Sequence, residues 1–181
     1  MYEEKVVFFI KRTISHIHAV QKNAEFLIVN FADFLQLDKE ECRRFLWNVM
    51  MHDQSKFSAP QFDAYVELTD FFRKKEYNKT HEYPSEKIRN DVNLAIQNHY
   101  EVENHHPEKY KGLWGKFEKI EAYEMACDLQ ARATELGQKN CREYYEKTWL
   151  KKHMYDVPDD ANWEVVKGCM DRAIKCLKTN E

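Results

Sequence analysis

The sequence predicts an all-α protein: a single domain over residues 1–181, built as a bundle of about six or seven helices. Three observations predict it. Apolar residues recur at spacings of three and four along almost the whole chain, the period of helices with one buried face. Glycine and proline number only 4 each, too few for a turn-rich β architecture. A hydrophobic share of 43% against a charged share of 33% fits a globular chain rather than a disordered or collagen-like one.

The first helix is expected from Tyr2 to about Leu37, with Ile10, Ile14, Ile17, Ala24, Ile28, Phe31 and Leu35 on one face. Asp38 can cap a second helix, with Glu40 and Glu41 favourable in its first turn, running to about His52. QSKFSAP reads as a loop, and Ser58 with Pro60 restarts a helix through Phe72. After the polar stretch KKEYNKTHEYP, Pro84 and Ser85 open a helix that ends near His99. EVENHHPEKYKGLWG is expected to be a loop carrying function. Further helices are expected over Lys116–Leu136, stopped by Gly137, then Asn140–His153 and Asn162–Lys178.

Several classes are excluded or disfavoured. Lys+Arg 28 against Asp+Glu 31 gives a net charge of -3, so no basic field marks a nucleic-acid duplex as partner. Neither GxGxxG nor GxxxxGK[ST] occurs, which removes dinucleotide-binding and P-loop chemistry. The five cysteines (Cys42, Cys127, Cys141, Cys169, Cys176) are odd in number and contain no CxxC pair, so they read as reduced thiols of a cytoplasmic protein. The apolar run in MYEEKVVFFIKR is too short for a signal core. No stretch approaches the ~18 apolar residues of a membrane span, so no membrane partner is expected.

Chemistry is signalled by histidines and acids placed at helix ends and on apolar faces. Imidazole with carboxylate suits a divalent transition metal: Mn, Fe, Co, Ni or Zn. At about 100° per residue, His16 shares a stripe with Val20 and Leu27, while His18 falls among Lys11, Lys22 and Glu25 on the solvated side. His52 and Asp53 close the second helix below Phe45, Val49 and Met50. His99 follows Ile88, Val92 and Ala95 on a buried stripe. Asp128 lies in the apolar stretch MACDLQA, four residues after Glu124. A carboxylate there is costly unless paired or metal-bound, and the plain alternative is a salt bridge to Arg132. Lys109, Lys111, Tyr100, Tyr110 and Trp114 surround the loop and could grip a nucleotide or form ordinary surface. Trp47, Trp149, Trp163 and the Phe8-Phe9 pair read as core or interface.

Together, His16-Ile17-His18-Ala19-Val20, then His52-Asp53-Gln54-Ser55-Lys56, and then Asp128 in EMACDLQAR resemble the HD superfamily of metal-dependent phosphohydrolases. The string is most similar to a small HD-like group of bacteria and phages with HDxSKF, HHP and EMxCD elements. The resemblance spans about residues 13–132, with the helices of 140–178 packed on that part. Ser55 departs from the glycine many relatives carry there.

The resemblance implies a metal held by His16, His52, Asp53 and Asp128, with Mg added to the candidate ions. His99 and either His105 or His106 would complete a second metal site, or bind phosphate if only one ion is present. Lys56 would clamp the substrate's phosphate, with His105, Lys109 and Tyr100 as further substrate contacts. Glu124 would orient a ligand histidine or accept the proton of water. The implied substrate is a nucleotide or another small phosphoester, and a homo-oligomer is compatible with it. Competing readings are an HD-fold di-iron oxygenase and an inactive metal-binding helical module.

Overall fold

The computed structural model describes residues 1–110, 113–138, 140–151 and 161–178. Among these, every regular element is helical and none is a strand, so the fold class is all-α. The chain divides into two compact units. One comprises Met1–Ser15 and Asp53–Glu103; the other comprises His16–His52 and Asn104–Glu181.

Helix α1 spans Tyr2–Phe31 and contributes its opening turns to the first unit and the remainder to the second. It stops short of Leu37 because the chain reverses in a Schellman turn. Gln36 adopts φ 56, the Leu37 amide donates to the Ala32 carbonyl at 2.9 Å, and the Gln36 amide donates to Asp33 at 3.1 Å. Helix α2, Lys39–Met51, opens on a capping box. The Glu41 amide donates to Asp38 at 2.8 Å, and the Asp38 amide donates to the Glu41 carboxylate at 3.0 Å.

In the first unit a 3₁₀ turn, Gln54–Phe57, leads into α3, Ala59–Tyr77, and α4, Glu86–Val102. Both helices outrun expectation, past Phe72 and past His99. Nothing in either sequence stops them, and charged side chains tolerate an exposed extra turn. Ser85 caps α4 through its hydroxyl, which accepts from the Ile88 amide at 3.2 Å. The core is Phe9, Tyr65, Val66 and Ala95. Phe9 meets Phe57 and Phe62 at ring-centre distances of 5.5 and 5.3 Å.

In the second unit, 3₁₀ turns Pro107–Tyr110 and Trp114–Lys116 lead into α5, Lys119–Glu135. The expected loop is therefore partly ordered as turns, and its first two residues belong to α4. Gly137 at φ 69 follows α5. The helix expected over Asn140–His153 is present from 142 to 151, as α6, Arg142–Tyr144, running through a π turn, Tyr145–Trp149, and back to α-helix at Leu150 and Lys151. The end at His153 lies outside the described residues, as does Lys111. Helix α7 spans Ala161–Leu177. Val20, Ala24 and Leu27 of α1, Phe45 and Val49 of α2, Tyr123 and Ala126 of α5, and Met170 and Ile174 of α7 form this unit's core. The Tyr123 hydroxyl donates to the Leu35 carbonyl at 2.8 Å, and Trp163 stacks on Trp149 at 6.0 Å.

Two apolar expectations fail, at Ile14 and Met50, and Trp47 is not core. Ile14 is 43% exposed because Thr13, His16, Ile17 and Val20 take the buried line, about 100° round from it. Met50 and Trp47 are exposed on α2, whose inward face is Phe45 and Val49 with Cys42 partly buried beside them. Among the described residues, no helix is long and apolar enough to cross a membrane.

Candidate metal centre

The face of α5 that carries acids organises the second unit's polar cluster. Glu124, Asp128 and Glu135 are separated by four and seven residues, which brings them to one side of the helix. His16 comes from the buried line of α1, and His52 from the residue that ends α2. His16 is buried and His18 exposed, as the helical stripe predicted.

His16 lies between two carboxylates. Its Nε2 is 2.9 Å from Asp128 Oδ1, and its Nδ1 is 2.6 Å from Glu135 Oε1. His52 repeats the arrangement, with Nδ1 at 2.9 Å from Glu124 Oε1 and Nε2 at 4.0 Å from Asp128 Oδ1. The two imidazoles approach at 5.6 Å between ring centres. His105 also meets Glu124, at 3.1 Å, and lies 4.2 Å from both the His52 and the His106 rings. Lys109 donates to Asn104.

This donor set fits a divalent ion. His16, His52 and Asp128 each offer one ligand atom, all within 4.8 Å of one another. A ligating histidine needs its second ring nitrogen engaged, so that the tautomer and ring plane are fixed. Glu135 and Glu124 supply that partner at Nδ1, leaving Nε2 of each ring directed towards Asp128.

The electrostatics keep both central acids charged. Burial would raise Asp128, but the hydrogen bond and charge of His16 outweigh it and hold the carboxyl far below its usual range. Burial would likewise raise Glu124, yet His105 and then His52 bring it down to about 2. The alternative partner for Asp128 is not used: Arg132 bonds to Glu135 at 2.6 Å.

The first unit holds the other residues that the resemblance implicates. Asp53 sits at φ 60 and ψ 8, a left-handed conformation that costs a non-glycine residue of the order of 1 kcal/mol or more. Its carboxylate accepts from Lys56 and lies 3.2 Å from His99 Nε2. His99 Nδ1 is 2.8 Å from the Ser55 hydroxyl, and the Lys56 ammonium lies 5.5 Å from the Tyr65 ring centre. Burial and the charge of Asp53 push the Tyr65 phenol far above its usual range. Tyr100 packs beside His99 with ring centres 6.2 Å apart.

Glu135 was not legible as a site residue. It sits in the last turn of α5, where the helix dipole disfavours an acid, and next to Arg132 it resembles a surface ion pair. An acid at the unfavourable end of a helix, seven residues after Asp128, was the available signal.

No curated protein and no solved structure matches the chain. Residues 5–168 match the profile described as a family of unknown function, DUF5662, and the chain belongs to that family.

Proposed function

We propose that the chain is a metal-dependent phosphohydrolase of the HD type, cleaving a phosphoester of a nucleotide or another small phosphorylated molecule. The observation that carries the reading is the pairing of His16 and His52 with one carboxylate each at Nδ1, while their Nε2 atoms converge on Asp128. That is how ligand histidines are held in metal sites.

His16, His52 and Asp128 would bind the ion, which could be Mn, Fe, Co, Ni, Zn or Mg. Two neutral imidazoles and one carboxylate leave a divalent ion with residual positive charge and open positions for water and a phosphoryl oxygen. A bound ion of this kind lowers the pKa of its water towards ~7 and polarises the phosphoryl group. Glu135 and Glu124 hold the rings in register. Glu124 is engaged by two histidines and buried, so its role is positioning rather than proton transfer. His105, on the same carboxylate, is the histidine in this unit best placed to donate a hydrogen bond to a phosphate oxygen.

The resemblance also assigns Asp53 and His99 to metal and Lys56 to phosphate. Within their own unit Lys56 and His99 each already pair with Asp53, with N–H donors of the Lys56 ammonium left over for a phosphate. The proposal therefore rests on the second unit's set.

The test is elemental analysis of the purified protein, followed by phosphate release from an aryl phosphate and a nucleotide panel with each divalent ion restored. Metal-dependent phosphate release supports the reading. Bound iron with oxygen-dependent turnover and no phosphate release would favour the oxygenase, and a bound ion with neither activity would favour the inactive module.

A further inference from the structure

A cavity of about 450 Å³ opens in the first unit, within the range of small-ligand pockets. It is bounded by the start of α1 and by one face each of α3 and α4. Pro60, Ala64, Ile88 and Ala95 give it an apolar lining, and small side chains at Ala64 and Ala95 leave the room. Its polar wall has one sign. Asp63, Glu67 and Asp91 line it, and among the described residues no lysine or arginine does.

Two of those acids are already held in place. Asp63 accepts a hydrogen bond from the Tyr2 hydroxyl, a neutral donor that leaves the charge uncompensated. Glu67 is matched at both oxygens by Lys5 at 2.8 Å. Asp91 makes no ion pair among the described residues. The wall thus keeps two solvent-exposed negative charges, Asp63 and Asp91, beside an apolar surface.

We propose that this cavity binds a short-chain aliphatic amine, its ammonium group answered by Asp63 and Asp91 and its methylenes covered by Ala64, Ala95 and Ile88. A neutral apolar ligand would gain nothing from the two uncompensated carboxylates, and an anion would be repelled by them. None of the lining residues belongs to the proposed metal set, so the inference stands apart from the phosphohydrolase reading.

The experiment titrates the full chain with 1,5-diaminopentane, and separately with pentan-1-ol, by calorimetry and backbone amide NMR. The diamine should bind and shift amides of α3 and α4, including Ala64 and Ala95, while the alcohol binds at least about tenfold more weakly. Asp91→Asn, on an exposed helical surface, should weaken the diamine up to about fivefold, the upper range for one exposed charge pair. Ala64→Leu should fill the cavity and weaken binding further, with helical content unchanged by circular dichroism. Chelator-treated protein should bind the diamine as before, whatever the fate of the metal. Equal affinity for alcohol and diamine, an unchanged affinity in Asp91→Asn, or shifts confined to other helices would overturn the proposal.

Discussion

The two units handle their buried and half-buried acids differently. In the first, every one of these carboxylates meets a permanent cation: Asp53 meets Lys56 as well as His99, Glu67 meets Lys5, and Asp70 meets Arg73 and Lys74. In the second, Asp128 and Glu124 meet imidazoles alone. An ammonium or guanidinium closes a carboxylate's chemistry, because it has no lone pair to offer. An imidazole can lose its proton and turn a nitrogen lone pair to the same point as the carboxylate. The second arrangement is expensive as mere structure and well suited to a metal.

The largest expected effect separates neighbouring histidines. His16→Ala should abolish metal retention, while His18→Ala, on the exposed side of the same helix, should leave stoichiometry unchanged by elemental analysis. Equal losses would place the ligand role elsewhere on α1. In the first unit, Lys56→Ala should keep the metal but lower turnover of a phosphoester on the order of 10²-fold if Lys56 clamps the phosphate. Normal turnover would leave that lysine as Asp53's structural partner.

Glu135→Gln should weaken metal affinity about 10–100-fold, the usual cost of losing a carboxylate behind a ligand histidine. A competition titration with a chromophoric chelator reads this directly. An unchanged affinity would make Glu135 only the partner of Arg132.

The smallest effect is one of stability. Glu124 has its carboxyl lowered from 4.5 to about 2 in the fold, so its contribution is present above about pH 4.5 and is lost as pH falls towards 2. Urea melts of the metal-free protein and Glu124→Gln should differ above pH 4.5 and converge at lower pH. Parallel curves across that range would mean that His52 and His105 do not hold this acid ionised.

Legibility followed the range of the forces involved. Helical periodicity placed His16 inward and His18 outward, because burial along one stripe is a local pattern repeated many times. The Asp38 and Ser85 caps were equally legible, since each depends on residues within one turn. The end of α1 was not, because Gln36 gives little sign that it will take a left-handed conformation. The left-handed Asp53 was hidden for the same reason. The pairing of Glu124 with both His52 and His105 joins residues 72 apart in one case, and only packing decides such a meeting. Asp128 was legible as costly in an apolar stretch, but its choice of His16 over Arg132 depended on where α1 lies within its unit.

The central claim is that Asp128 completes a metal site with His16 and His52. It is tested most directly by metal stoichiometry in the wild type and Asp128→Asn, with circular dichroism alongside. Asparagine keeps the shape and a hydrogen-bond acceptor but removes the charge. The account predicts a bound divalent ion in the wild type and its loss from a still-helical Asp128→Asn. Full metal occupancy in Asp128→Asn would contradict it.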